Sequence, residues 1–152
     1  MGVGVFVRPG KVIEKGQMIG AYMGEVLKKS DEVIARSIYV FDLEGTNRGS
    51  KSMEVIVDGQ THGGWTRFCN SHCKPNVEVY PEQVGKIVLL VFKTAKRITS
   101  GSQIFINYGR AYFEDGETMC LCSAKRQPHL PPGDEQVKET KETKATKRAR
   151  RT

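Results

Sequence analysis

Arg67-Phe68-Cys69-Asn70-Ser71-His72-Cys73-Lys74-Pro75-Asn76 follows a glycine-rich approach, Gly63-Gly64, and its reading decides the rest of the chain. These ten residues contain an arginine, two asparagines, a histidine, two cysteines and a proline. An amide carries a donor and an acceptor on one group, and proline fixes the turn that follows it. Few purely structural segments need so many polar and conformationally special residues in a row. The sequence around it is of another kind. Short runs rich in β-branched and aromatic residues, broken by glycines, read as strands at Val3–Val7, Gln17–Met23, Tyr39–Leu43, Met53–Val57, Val77–Tyr80, Lys86–Phe92 and Gln103–Asn107. The last but one is almost continuously apolar and reads as buried.

One helix is expected, over Lys28–Ser37, with Ser30 as N-cap before Asp31 and Glu32. Short strands with turn signals between them predict a compact, mostly β domain with few helices. At 152 residues the chain reads as one domain and a tail. Pro128, Pro131, Pro132 and Gly133 mark the exit. From Lys138 onward seven basic residues face two glutamates, so five of the seven net positive charges fall in this stretch. Such a segment lacks the apolar surface to offset its ordering entropy and is expected to be disordered. Lys147-Arg148-Ala149-Arg150-Arg151 reads either as a nuclear-import or nucleic-acid patch or as a solvated tail. No run approaches the roughly 18 apolar residues of a membrane span, and no secretory layout opens the chain, so a soluble, intracellular protein is expected; a monomer is expected separately. Cys69, Cys73, Cys120 and Cys122, with C-x-C spacing at the end, favour thiolate metal binding or buried thiols over disulfides.

The Arg67–Asn76 stretch closely resembles the signature of the SET-domain protein lysine methyltransferases, usually R-F-x-N-H-S-C-x-P-N. It departs in one place, where the family's His-Ser is reversed to Ser71-His72. Other segments match in order. Gly2-Val3-Gly4, by itself a weak turn signal, resembles the family's opening G-x-G, where the backbone approaches S-adenosylmethionine (SAM). Ile13–Val26 reads by pattern as a strand leading to a helix. It resembles K-G-x-x-I-x-x-Y-x-G-E, which makes Tyr22 the tyrosine of the lysine channel. Tyr39 matches a tyrosine that touches the cofactor. Val57-Asp58-Gly59 stands where the family usually has Ala in place of Gly59. Arg67, Phe68, Asn70 and the main chain of Ser71 fall on cofactor-holding positions. Gly101–Gly109 resembles G-E-E-L-x-x-D-Y-G, making Tyr108 the second site tyrosine. Ile106 replaces an aromatic residue that often limits how many methyl groups fit. Tyr112 and Phe113 match aromatics found beyond this motif.

The resemblance covers roughly Gly2 to Cys122. It implies a SET-domain fold of short sheets with a knot-like C-terminal threading over residues 1–113, its N-terminal edge truncated. A degenerate post-SET segment follows at 114–127, then a disordered basic tail at 128–152. Cys120-Leu121-Cys122 resembles the start of the family's C-x-C-x4-C module, with Gln127 in place of the last cysteine. Two outcomes follow for zinc. Either His129 completes a site with Cys73, Cys120 and Cys122, or the module has decayed and binds none. The implied activity is SAM-dependent methylation of a protein lysine on a histone tail, by in-line displacement in a dry tyrosine-lined channel that keeps the amine neutral. A chromatin-associated protein of the nucleus fits that activity; a cytoplasmic one is the alternative. The rival function is a weak or inactive SET domain kept as a binding or scaffold module. The reversal at Ser71-His72 is expected to remove the imidazole's packing from the site, with His72 as a partial substitute. A third reading, a basic nucleic-acid module, has only the tail in its favour.

Overall fold

The longest apolar run of the chain becomes its central strand. In the computed structural model, which describes residues 3–29, 37–43, 55–113, 119–123, 128–129 and 131, eight strands follow in order. They are β1 Met18–Tyr22, β2 Glu25–Lys28, β3 Val40–Asp42, β4 Val55–Asp58, β5 Asn70–Ser71, β6 Val77–Val84, β7 Ile87–Thr94 and β8 Phe105–Ile106. They form three small sheets with orders β1-β7-β6, β2-β4-β3 and β5-β8. Trp65–Phe68 and Ala111–Phe113 are single 3-10 turns, and no α-helix occurs among the described residues.

Each three-stranded sheet is organised by its middle member. In β7, Leu90, Val91 and Phe92 are buried in succession, so both faces are covered. The same holds for all four residues of β4. Flanking strands need only one apolar face, which is why they are shorter in hydrophobic content. β6 and β7 form a hairpin closed by Gly85-Lys86, with Gly85 at φ +63, a conformation that favours glycine in so short a turn. Pro81 lies within β6 opposite Leu90. It is tolerated because β6 is an edge strand, and it withholds a donor from further pairing there.

Several sequence expectations are corrected. Val3–Val7 forms no extended strand; Val5 and Val7 exchange backbone bonds with residues 101–104 around a single bridge, Phe6 to Gln103. The strand read as ending at Tyr80 runs on through Pro81 to Val84, because an edge position removes the objection to proline. The strand-to-helix reading of Ile13–Val26 gives way to two strands, β1 and β2, and Lys28 closes β2 rather than opening a helix. Ser30–Arg36, the body of that helix, lies outside the described residues, as do Met53-Glu54, Gly2 and the basic tail beyond Pro131.

Two compact units divide the chain: Met1–Asn70 with Pro75–Ile106, and Ser71–Lys74 with Asn107–Thr152. The core of the first is centred on Phe92, fully buried, with the Tyr22 ring stacked at 6.4 Å and the Trp65 ring edge-on at 6.3 Å between centroids. Tyr22 also meets Phe41 at 4.5 Å. Its hydroxyl donates to the Tyr39 carbonyl at 2.8 Å. A Cβ on Gly59 would sit 2.7 Å from that hydroxyl, so the absence of a side chain there is a packing requirement. Gly24 is constrained in the same way, since a Cβ would come within 2.2 Å of the Asp58 carbonyl.

Phe92→Ala is therefore expected to cost about 3–5 kcal/mol of stability. Gly59→Ala, although it restores the residue the family usually carries, is expected to cost about 1–3 kcal/mol, because the Tyr22 ring is wedged between Phe41 and Phe92 and has nowhere to retreat. Urea denaturation of the two variants checks both values.

Candidate functional site

The signature loop reaches its conformation through its last residue. Asn76 is buried, donates its amide to the Gln103 carbonyl at 2.8 Å and accepts the Phe105 N–H at 2.8 Å. Its backbone N–H reaches Phe105 O at 3.2 Å and its carbonyl takes the Ala95 N–H at 2.9 Å. Every polar group of the residue is used, which brings the Gly101–Gly109 motif beside the end of the signature. Neither Asn76 nor Gln103 stood among the sequence-predicted site residues. The signal was present, since Asn76 closes the motif and an asparagine after proline commonly serves a turn.

In the first unit, Val3, Gly4, Tyr22, Tyr39, Arg67, Phe68 and Asn70 are all placed. Asn70 donates its amide to the Val3 carbonyl at 3.3 Å. A Cβ on Gly4 would lie 2.3 Å from Gln103 Nε2 and 3.2 Å from Asn70 Nδ2, so the opening glycine lets two amide side chains crowd the backbone. Val3 itself is 70% exposed. Arg67 Nη1 donates to the carbonyls of Gly59 at 2.8 Å and Gln60 at 3.1 Å, and its guanidinium lies over the rings of Phe68, 4.8 Å away, and Tyr39, 5.8 Å away. One edge of the arginine thus braces the 59–60 turn. Its Nε is buried and without a partner among the described residues. A buried donor left unmade costs about 1–3 kcal/mol, and an orphan of this kind fits a site for a ligand bearing polar acceptors. Ile106 is buried in this unit's core.

The second unit holds Ser71, Tyr108 and the candidate metal ligands. Tyr108 packs edge-on against Tyr112 at 4.7 Å and stacks with Phe113 at 6.5 Å. Ser71 Oγ accepts the Tyr108 backbone N–H at 3.3 Å. His72 accepts the Lys74 N–H and faces Ser123, where the sequence had suggested a stand-in for the family's histidine.

Cys73, Cys120, Cys122 and His129 form a compact set whose ligand atoms all lie within 4.8 Å of one another. Cys73 Sγ is 3.7 Å from Cys120 Sγ and 3.0 Å from His129 Nε2, and Cys122 Sγ is 3.7 Å from the same nitrogen. A tetrahedral site with Zn–S of about 2.3 Å has edges of about 3.8 Å, so the set fits a zinc-sized ion with soft donors. Local pairing explains His129. Cys120 N–H donates to the His129 carbonyl at 2.9 Å and His129 N–H to the Cys120 carbonyl at 3.2 Å, which brings the imidazole back beside the thiols. Burial, then hydrogen bonds with Cys122 and Cys120, push the Cys73 thiol up to about 12; a cation among the thiols reverses that preference. Burial alone raises Cys69 to about 12, and it stands outside this set.

The SET-domain family model matches residues 2–109. The chain is 29% identical over 140 residues to the probable histone-lysine N-methyltransferase set-23 of Caenorhabditis elegans, covering 86% of this chain and 57% of that protein. It is 30% identical over 137 residues to histone-lysine N-methyltransferase Su(var)3-9 of Drosophila melanogaster, covering 82% and 21%. With histone-lysine N-methyltransferase EHMT1 of Mus musculus it shares 30% over 131 residues, covering 81% and 10%. The chain thus spans little more than half of one of these relatives and far less of the other two. The family match over residues 2–109 and the mostly β architecture of small sheets agree: the chain belongs to the SET-domain family, whose members are lysine methyltransferases.

Proposed function

We propose that this chain is a SAM-dependent protein-lysine N-methyltransferase acting on a histone tail in the nucleus. The observation that carries the reading is the polar fitting around Gly4 in a chain matched to this family, the Asn70 amide on the Val3 carbonyl and Gln103 against the glycine; the orphaned Nε of Arg67, braced elsewhere on the 59–60 turn, supports it. SAM, when bound, supplies the electrophilic methyl group. Asn70, Arg67, Tyr39, Phe68 and the backbone from Gly2 to Gly4 and at Ser71 are the residues that would hold it. Tyr22 and Tyr108 are assigned to the substrate lysine. Because the Tyr22 hydroxyl spends its proton on the Tyr39 carbonyl, it acts toward a substrate amine only as an acceptor. It orients an N–H and leaves the nitrogen lone pair to point elsewhere. A buried aromatic seat disfavours the charged ammonium, which suits an amine that must react in its neutral form. The named relatives act on histones, which supports a histone tail as substrate. Cys73, Cys120, Cys122 and His129 would hold a structural zinc outside the chemistry.

Calorimetry is expected to find micromolar SAM affinity, equivalent to about 8 kcal/mol, and Asn70→Ala to remove most of it. Tyr108→Phe is expected to retain SAM binding while methyl transfer to histone H3 peptides falls at least tenfold. No heat of binding at millimolar SAM would rule the enzyme out in favour of a binding module.

Metal analysis of the purified chain is expected to give about one zinc, lost in His129→Ala. Chelation is expected to lower the thermal midpoint of the wild type and to leave that of the variant where it already stands.

A further inference from the structure

The reversed pair Ser71-His72 is the chain's sharpest departure from its family, and both side chains are in use. Ser71 Oγ accepts the N–H of Tyr108. On the other side of that tyrosine, Gly109 N–H donates to Asn107 Oδ1 at 3.0 Å, and Gly109 adopts φ +82. The peptide before Tyr108 is therefore held by the signature, and the one after it by the tyrosine's own turn. Tyr112 and Phe113 set the ring's packing. These contacts bear on the Tyr108 backbone and ring, and so on where its hydroxyl points.

His72 has a separate task. Its Nδ1 accepts the Lys74 N–H at 2.9 Å, so the ring's proton sits on Nε2, which lies 3.2 Å from Ser123 Oγ. Cys73 stands between His72 and Lys74, and its own N–H points to Cys122 Sγ at 3.5 Å. One imidazole thus closes the Cys73 turn and ties it to the Cys122-Ser123 segment. Serine has one oxygen and cannot span both partners, whereas imidazole places a nitrogen at each end. At residue 71 the demand is the opposite: a short hydroxyl close to the main chain, facing a backbone N–H.

We propose that Ser71 is a positioning residue for Tyr108 and that His72 is the clip for the Cys73 turn, so that Ser-His is a built arrangement and not a damaged His-Ser. This deepens the methyltransferase reading and rests on it for the role of Tyr108. The experiment uses the full zinc-loaded chain and the variants Ser71→Ala, Ser71→Thr, and Ser71→His combined with His72→Ser. Amide hydrogen exchange at Tyr108, SAM affinity, and kcat and KM on a histone H3 peptide are measured for each. In Ser71→Ala, Tyr108 exchange is expected to rise about tenfold and kcat to fall about tenfold, with SAM affinity within twofold of wild type. Ser71→Thr keeps the hydroxyl and is expected to recover both. The swapped pair is expected to lower kcat and to lose zinc to a chelator about tenfold faster. Unchanged Tyr108 exchange in Ser71→Ala, a loss of SAM affinity equal to the loss of kcat, or a swapped pair with raised kcat each overturns the proposal. A wild type without turnover whose Tyr108 exchange still responds to Ser71→Ala overturns the methyltransferase reading and leaves the anchor standing.

Discussion

The buried amide of Asn76 is the constraint on which the first unit's site depends. Its four polar groups bind Ala95, Gln103 and Phe105, so the end of β7 and the segment entering β8 are both registered against the last residue of the signature. Each such bond contributes only about 1 kcal/mol net, but a buried amide that loses its partners costs more than it ever contributed. The register is therefore enforced by the penalty for the alternatives. Through Gln103 it extends to Gly4, where that residue's side chain presses on a backbone with no Cβ to resist it. The opening glycine, the signature asparagine and the C-terminal motif lie far apart in sequence, yet they meet because one residue accepts no other partners.

What could be read from the sequence followed from how local each cause was. β7 was legible as a nearly continuous apolar run because a middle strand must hide both faces, and β1, β3 and β4 as shorter β-rich runs. β2 was not, since Glu25-Val26-Leu27-Lys28 has strong helix formers at both ends, and pairing with β4 overrides that local preference. The strand read over Val77–Tyr80 continues through Pro81; whether a strand can carry a proline depends on its being at an edge, which only the sheet order reveals. Among the site residues, Tyr22, Tyr108 and the Arg67–Asn76 stretch stood out through resemblance, and their chemistry was plain from residue type. Their actual partners were not. Arg67 was read as a cofactor ligand, and one of its nitrogens proves to brace the Gly59 and Gln60 carbonyls, a choice set by a turn eight residues away.

His129 shows the same limit from the other side. Spacing puts it two residues beyond the place where the family has its last cysteine, which by count alone argues against a complete site. A pair of backbone bonds to Cys120 makes the count irrelevant, because it fixes where the residue lies across the loop and not along it. The longer imidazole then reaches back to within 3.0 Å of the Cys73 sulfur. Ligand type and ligand spacing have changed together, and the set of four donors is preserved.

That preservation bears on how much change a SET-domain fold absorbs before its function does. Gly59 in place of Ala, Ser71-His72 in place of His-Ser, and His129 in place of a cysteine each look like decay when taken one at a time. Each has a specific neighbour in this chain: the Tyr22 hydroxyl against Gly59, the Tyr108 and Lys74 amides at the reversed pair, and the Cys73 thiol beside His129. Substitutions left behind by lost selection would have no reason to find matching partners, since most random changes in a packed interior leave a void, a clash or an unmet polar group. The Gly59 pairing is the most telling of the three, because it concerns volume rather than a hydrogen bond. With the Tyr22 ring held by Phe41 and Phe92 and its hydroxyl by the Tyr39 carbonyl, an alanine at 59 would have to displace the tyrosine. Each departure from the family pattern is therefore matched by a neighbour that accommodates it.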